Sequence, residues 1–163
     1  MLLAILVIQE ELLVFIPQVQ LTVILIIVYA HFLSYKEMVP LVIGYVILDN
    51  LIMGSFSLLY TPPMIITWLL LAIVARALRK KPDYALFIVA VLFAFVYGWS
   101  FIPSAMLIQS NFNFWIYVKA DFIFEMGMAA NSVATFLLFY RPLKELFGKL
   151  YKKPRNENIE TFN

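Results

Sequence analysis

The chain has 163 residues, of which 64% are hydrophobic and 13% are charged, and its mean hydropathy is +0.92. Soluble domains are about half apolar and a quarter charged, so this composition indicates an integral membrane protein. The absence of cysteine excludes disulfides, thiolate nucleophiles and Cys-ligated metals. The formal net charge of +2 is small, and we expect no nucleic-acid partner.

Short polar or proline-containing stretches interrupt the apolar sequence about every 20 residues, which is the length that a helix needs to cross a bilayer. We therefore predict an all-α membrane protein, a bundle of six transmembrane helices. The predicted spans cover residues 1–16, 18–34, 38–58, 62–79, 83–108 and 113–141. We expect Pro17 to end the first span, Pro62 and Pro63 to open the fourth, and Pro142 to follow the sixth.

The basic residues indicate the orientation of this bundle, because cytoplasmic connections of membrane proteins carry an excess of Lys and Arg. Eleven of the 12 basic residues lie in the second-to-third connection, the fourth-to-fifth connection and the C-terminal segment, and only Lys119 lies on the other side. We predict a multi-pass plasma-membrane protein with both termini cytoplasmic. Residues 1–151 are expected to form the transmembrane domain, and 152–163 a disordered cytoplasmic tail.

Acidic residues inside the predicted spans are concentrated toward the extracellular side of this topology. At a rise of about 1.5 Å per residue, Glu10 and Glu11 fall in the outer half of the first span and Asp49 just past the midplane of the third. Asp121 falls in the outer half of the sixth span and Glu125 near its midplane, on the same helical face. An ionised acid at a helix centre costs roughly 2.5 to 3.5 kcal/mol, so these carboxylates are expected to face a cavity or one another.

These acids and the polar and aromatic residues at the same depth predict a binding pocket that opens to the outside and is closed below by an apolar inner half. The candidate substrate-binding residues are Glu10, Gln18, Asp49, Asn50, Trp68, Tyr97, Trp99, Asp121 and Glu125. The alternative for each is a structural role, as an interhelical hydrogen bond or as a side chain that snorkels to the headgroups. No metal-ligand spacing occurs, so we predict no metal or other cofactor and interpret His31 as a packing residue.

Small residues recur at helical spacing in the last two predicted spans. Ala90, Ala94 and Gly98 recur every four residues on the fifth, and Ala130 and Ala134 are four apart on the sixth. This spacing lets helices approach closely. We expect both faces to pack within the bundle; the alternative is a contact site for a partner protein.

Four segments of this six-span chain resemble the substrate-binding S component of an energy-coupling factor transporter: QEELLVFIPQVQLT, LDNLIMGSF, ADFIFEMG and YRPL. The resemblance extends from Gln9 to about Lys144. It implies capture of a vitamin or related micronutrient at an outward-facing site, and partnership with a transmembrane coupling protein and two cytoplasmic ATPase subunits. The family commonly carries an AxxxA docking pattern on the first helix, but here Ala4 is followed by Ile8. The chain has no P-loop, and we do not expect an enzyme.

The charge of the predicted pocket indicates the class of substrate. Five carboxylates and one basic residue on the outer side give a negative field, which favours a cation or a ring rich in N–H donors. Aromatic faces stack on flat rings and attract positive charge, at roughly 0.5 to 2 kcal/mol per contact. We expect a thiamine, aminopyrimidine, pyridoxine or modified purine type of ligand rather than biotin, folate or pantothenate. The alternative is a proton-coupled secondary carrier or channel in which Glu10, Asp49 and Glu125 relay protons.

Overall fold

The structure is a computed structural model that describes residues 1–13, 15 and 21–152. Its helices are α1 (Leu2–Leu13), α2 (Thr22–Phe32), α3 (Tyr35–Ile52), α4 (Thr61–Leu78), α5 (Asp83–Trp99), α6 (Ile102–Ile108) and α7 (Phe114–Lys152). No strand occurs among the described residues. The prediction of an all-α protein is confirmed.

Three helical stretches of the described chain are long and apolar enough to cross a membrane, which is compatible with a membrane protein. They are Thr61–Leu78, Asp83–Ile108 and Phe114–Tyr151. The fourth, fifth and sixth predicted spans coincide with them. By contrast, α2 has 11 residues, and its length of about 17 Å is roughly half the thickness of a hydrocarbon core.

Helix α2 lies at the centre of the bundle. Its sequence, TVILIIVYAHF, is apolar on nearly every side, and a helix of this kind is buried on all faces. Residues 22–30 are all buried. Helices α1, α4 and α7 pack against α2, while α3 packs against α1 and α4, and α5 packs against α4 and α7.

The two ends of this bundle differ in chemistry. At the start of α2, Thr22 donates a hydrogen bond of 2.9 Å to Glu10, near the end of α1. At the last residue of the same buried run, the carbonyl of Ala30 accepts a hydrogen bond of 3.1 Å from Arg76, near the end of α4. We call the first the carboxylate end, which holds Glu10, Asp49, Asp121 and Glu125, and the second the basic end, which holds His31, Arg76, Asp83 and Lys144.

Local sequence signals explain several helix boundaries. Before α3, the backbone N–H and the hydroxyl of Ser34 each donate a 2.7 Å hydrogen bond to Glu37 Oε2. These bonds favour the ionised carboxylate and lower the pKa of Glu37 below its ordinary value. Pro62 and Pro63 lie in the first turn of α4, as predicted, where the missing N–H groups need no intrahelical partner. Gly54, with φ 65°, lies in the left-handed region just after α3.

The expectation that Pro142 ends the last helix is wrong, because α7 contains this proline and runs on to Lys152. Proline removes one backbone hydrogen bond and ordinarily ends or kinks a helix. Tertiary packing stabilises the turns that follow: the ring of Phe147 lies 5.1 Å from that of the buried Tyr29. Residues 153–163, the greater part of the predicted disordered tail, lie outside the described residues.

The stripe of small residues is predicted correctly on α5 and wrongly on α7. Ala90 and Ala94 are buried, and α5 packs along much of α7. Ala130 and Ala134, however, are exposed, whereas Ala129 is buried. Because a helix turns about 100° per residue, a shift of one position moves the packing face away from the predicted pair.

Candidate functional site

Glu10 joins three helices at the carboxylate end. Its Oε2 accepts hydrogen bonds from the hydroxyl of Thr22, at 2.9 Å, and from the hydroxyl of Tyr45. The neighbouring Gln9 donates to Thr22 Oγ1 at 2.7 Å and accepts from the backbone N–H of Leu21 at 2.9 Å. These bonds hold α1 against α2 and α3 and orient the Glu10 carboxyl. Neither Gln9 nor Tyr45 was predicted as a site residue, although both carry polar groups on apolar helices.

Trp68 forms the aromatic centre of the site and is 1% exposed. Its ring lies 5.8 Å from that of Tyr45, 4.8 Å from that of Phe93 and 5.5 Å from that of Tyr97. The indole Nε1–H is buried, and although the Tyr97 hydroxyl lies near it, it makes no hydrogen bond of ordinary geometry in the described part of the chain. A buried polar group without a partner costs about 1 to 3 kcal/mol. This N–H is therefore a donor that a bound molecule can satisfy.

Asp49 and Asn50 are adjacent at the end of α3 but differ in their contacts. Asp49 lies one turn beyond Tyr45, is 8% exposed, and its Oδ1 has no hydrogen-bond partner among the described residues. Asn50 donates to the carbonyl of Val46 at 2.8 Å and accepts from the hydroxyl of Ser55 at 3.3 Å. Asn50 thus secures the end of the helix, whereas Asp49 retains a free acceptor.

Asp121 and Glu125 of α7 pack against Gly98 of α5. Glu125 is 2% exposed, and neither of its carboxyl oxygens has a hydrogen-bond partner in the region that the structure describes. A Cβ atom placed on Gly98 would lie 2.6 Å from Glu125 Oε1 and 3.0 Å from Asp121 Oδ2. Only glycine leaves room for both carboxyls here. Gly98 directly follows Tyr97, the residue of α5 whose ring contacts Trp68.

The predicted site residues fall into two groups at the carboxylate end. Contacts join Glu10, Tyr45, Trp68 and Tyr97, with Asp49 one turn from Tyr45. Asp121 and Glu125 form the second group and lie against Gly98, the residue that follows Tyr97 in α5. Trp99 joins neither group, since it is 49% exposed and its ring packs on Phe95 at 6.3 Å. Gln18 lies outside the described residues. From the sequence, Gly98 is predicted only as a packing residue. Its second role, leaving room for the carboxyls of Asp121 and Glu125, is visible only in the structure.

The acids of the carboxylate end form no ion pair with a basic side chain among the described residues. In that part of the chain an ion pair joins Lys144 and Asp83, at the basic end. No cluster of three His, Cys, Asp or Glu side chains suited to a metal ion occurs in the same part of the chain. In apolar surroundings an unpaired carboxylate is costly, so each of these groups is either protonated or matched by a cationic ligand.

Comparison of the chain with protein-family models, curated proteins and solved structures finds no match. The class of the protein is therefore described from its fold and its candidate site alone. Within residues 1–13, 15 and 21–152 the regular structure is all helical, and three stretches are long and apolar enough to cross a membrane. At one end of its bundle it gathers buried carboxyl, hydroxyl and aromatic groups, several of which have no partner within the described residues.

Proposed function

We propose that this protein captures a small cationic or N-heterocyclic micronutrient at the carboxylate end. The observation that carries the proposal is the set of buried, unpartnered polar atoms on Asp49, Trp68 and Glu125. A purely structural role would leave these groups unsatisfied, at about 1 to 3 kcal/mol each. A ligand with N–H donors or a positive charge satisfies the two carboxyls, a ring stacks on the aromatic side chains, and a ligand acceptor atom satisfies the indole.

The proposed topology is a multi-pass plasma-membrane protein with six spans, both termini cytoplasmic and the carboxylate end outside. It is supported by the separation of charges between the two ends of the bundle, since basic residues favour the cytoplasmic face. In this proposal α6 continues the span of α5, and the six crossings are those of α1, α2, α3, α4, α5 with α6, and α7; three of them are long and apolar enough to cross a membrane by themselves.

Cysteines introduced into this cysteine-free chain test the orientation. Leu58, Asn111 and Lys80 are exposed residues in connections between helices. In intact cells, an impermeant maleimide is expected to label Leu58→Cys and Asn111→Cys, and to label Lys80→Cys only after the membrane is permeabilised. The reverse pattern would invert the orientation, and labelling of all three in intact cells would contradict the membrane topology.

We further propose that the protein acts as the S component of an energy-coupling factor transporter, with a transmembrane coupling protein and two cytoplasmic ATPase subunits. The support is the resemblance of its segments to that family, together with one face of α1. Ala4, Ile8 and Leu12 recur every four residues on this face and are all exposed. An apolar helix face that no described residue covers fits a contact with another membrane protein, even though its spacing departs from the AxxxA pattern.

Ligand binding tests the proposed site. Trp68 makes intrinsic fluorescence a reporter of occupancy, and thiamine, pyridoxine and adenine form the panel of probes for the purified protein. For the probe that binds, Asp49→Asn and Glu125→Gln are each expected to weaken affinity about 10- to 100-fold, because a hydrogen bond to a charged group contributes about 1.5 to 3 kcal/mol. Glu37→Gln, at an exposed carboxylate of the opposite end, serves as the control. Unchanged affinity in both site variants would refute the pocket.

One observation favours the alternative, a proton-coupled carrier. The hydrogen bonds among Gln9, Thr22, Glu10 and Tyr45 connect exchangeable protons on three helices. Reconstitution into liposomes separates the two functions. With this chain alone, uptake of a probe driven by a pH gradient and lost in Glu10→Gln would establish the carrier. Uptake that appears only after the coupling protein, the ATPase subunits and ATP are added would establish the S component.

A further inference from the structure

A cavity at the basic end is separate from the candidate site. It lies between the start of α5 and the second half of α7 and has a volume of about 380 Å³. Its lining consists of Asp83, Tyr84, Phe87, Phe136, Leu137, Tyr140 and Arg141. None of these residues takes part in the carboxylate end.

The net charge at this cavity is positive. Oδ1 of the Asp83 carboxylate accepts hydrogen bonds of 3.1 Å from both Lys144 Nζ and the Tyr140 hydroxyl, so Lys144 balances its charge. Arg141 is exposed and makes no hydrogen bond or ion pair within the described residues, although its charge also acts on the Asp83 carboxylate. The connection that leads into α5 adds the basic residues at 79–81. The polar side of the cavity therefore suits an anion, and a guanidinium binds phosphate oxygens particularly well.

The rest of the lining is apolar and accessible from the side of the bundle. The rings of Phe87 and Phe136 meet edge to face at 5.4 Å and form the floor. Beside them, Leu137 is 71% exposed and Tyr84 is exposed as well. Both α5 and α7 belong to stretches able to cross a membrane, so this side is expected to face hydrocarbon. A small anion without an apolar part would leave these apolar side chains without a contact.

We propose that this cavity binds an anionic phospholipid, with the phosphate at Arg141 and the first carbons of an acyl chain along Phe87 and Leu137. The lining changes from charged at Arg141 to apolar at Phe87 and Leu137, and a phospholipid changes in the same order from its phosphate to its acyl chains. The anionic surface of the cytoplasmic leaflet attracts basic residues of this kind. Because all the residues involved belong to the basic end, the proposal does not depend on the proposed ligand of the carboxylate end.

Native mass spectrometry of the full chain in detergent tests this proposal, with phosphatidylglycerol and phosphatidylcholine of identical acyl chains as probes. We expect phosphatidylglycerol to bind at least about fivefold more tightly, and Arg141→Gln to remove this preference. The matched control is Lys149→Gln, which removes an exposed positive charge from the same helix outside the cavity and is expected to retain the preference. Leu137→Ser is expected to weaken binding of both lipids by removing part of the apolar wall.

Three results would overturn the proposal. Equal binding of the two lipids would show that the headgroup charge is not recognised. An equal loss in Arg141→Gln and Lys149→Gln would show a diffuse attraction to basic residues rather than a site. Competition by glycerol 3-phosphate at the concentration at which phosphatidylglycerol binds would show that the cavity takes a free phosphate and has no requirement for the acyl chain.

Discussion

Gly98→Ala is expected to weaken ligand binding at the carboxylate end by at least about tenfold, or 1.4 kcal/mol, while the protein remains folded. The added Cβ would lie 2.6 Å from Glu125 Oε1, which is shorter than any ordinary non-bonded contact. The atoms that must move are the ends of side chains, so the carboxyls rotate away and the backbone stays. Alanine also favours the helix by about 1 kcal/mol relative to glycine, which offsets part of the strain.

Two controls identify the cause of such a loss. Gly44→Ala gives the same gain in helix propensity, but its Cβ meets Leu3 Cδ2 at an ordinary 3.4 Å, and we expect unchanged affinity. In a double-mutant cycle, Gly98→Ala should add little to the effect of Glu125→Ala, because both changes remove the same carboxyl from the site. Fluorescence titration measures affinity and thermal unfolding measures stability. Full additivity in the cycle would show that Gly98 does not act through Glu125.

Trp68→Ala is expected to have the largest effect on stability, a loss of about 3 kcal/mol in the free energy of unfolding. The indole is almost fully buried among rings from α3 and α5, and its removal leaves a cavity that these helices cannot close. The value lies at the low end of the range for soluble cores, because in a bilayer the lost contribution comes from packing rather than from transfer out of water. Unfolding in detergent mixtures of increasing SDS content measures the loss.

Two further variants separate packing from binding. Ile66→Ala, two residues away on α4, removes a side chain that is 66% exposed, and we expect a change below about 1 kcal/mol. Trp68→Phe keeps an aromatic ring but deletes the Nε1–H, so it should weaken ligand binding more than it reduces stability; isothermal titration calorimetry measures the affinity, because this variant lacks the fluorescent reporter. If Ile66→Ala destabilises the protein as much as Trp68→Ala, the indole is not the packing centre of the bundle.

Much of the fold could be predicted from local sequence. The apolar composition and the spacing of polar breaks predicted the all-helical class and the three stretches that can cross a membrane. The start of α4 followed from Pro62 and Pro63, and the buried face of α5 from Ala90 and Ala94. These features were predictable because they depend on residues within a few turns of one another, where helix geometry and proline chemistry act directly.

The residues that contact the carboxyls could not be predicted from local sequence, because they come from other helices. Tyr45 meets Glu10 from a helix 35 residues away, and Gly98 receives the carboxyls of a different helix. Packing from α2 holds the last turns of α7 beyond Pro142, against the local preference. Hydropathy along the chain therefore determined which segments are helical and shielded from water. The rotation of each helix about its own axis was decided only by packing, because a change of one residue turns a different side chain toward the neighbouring helix.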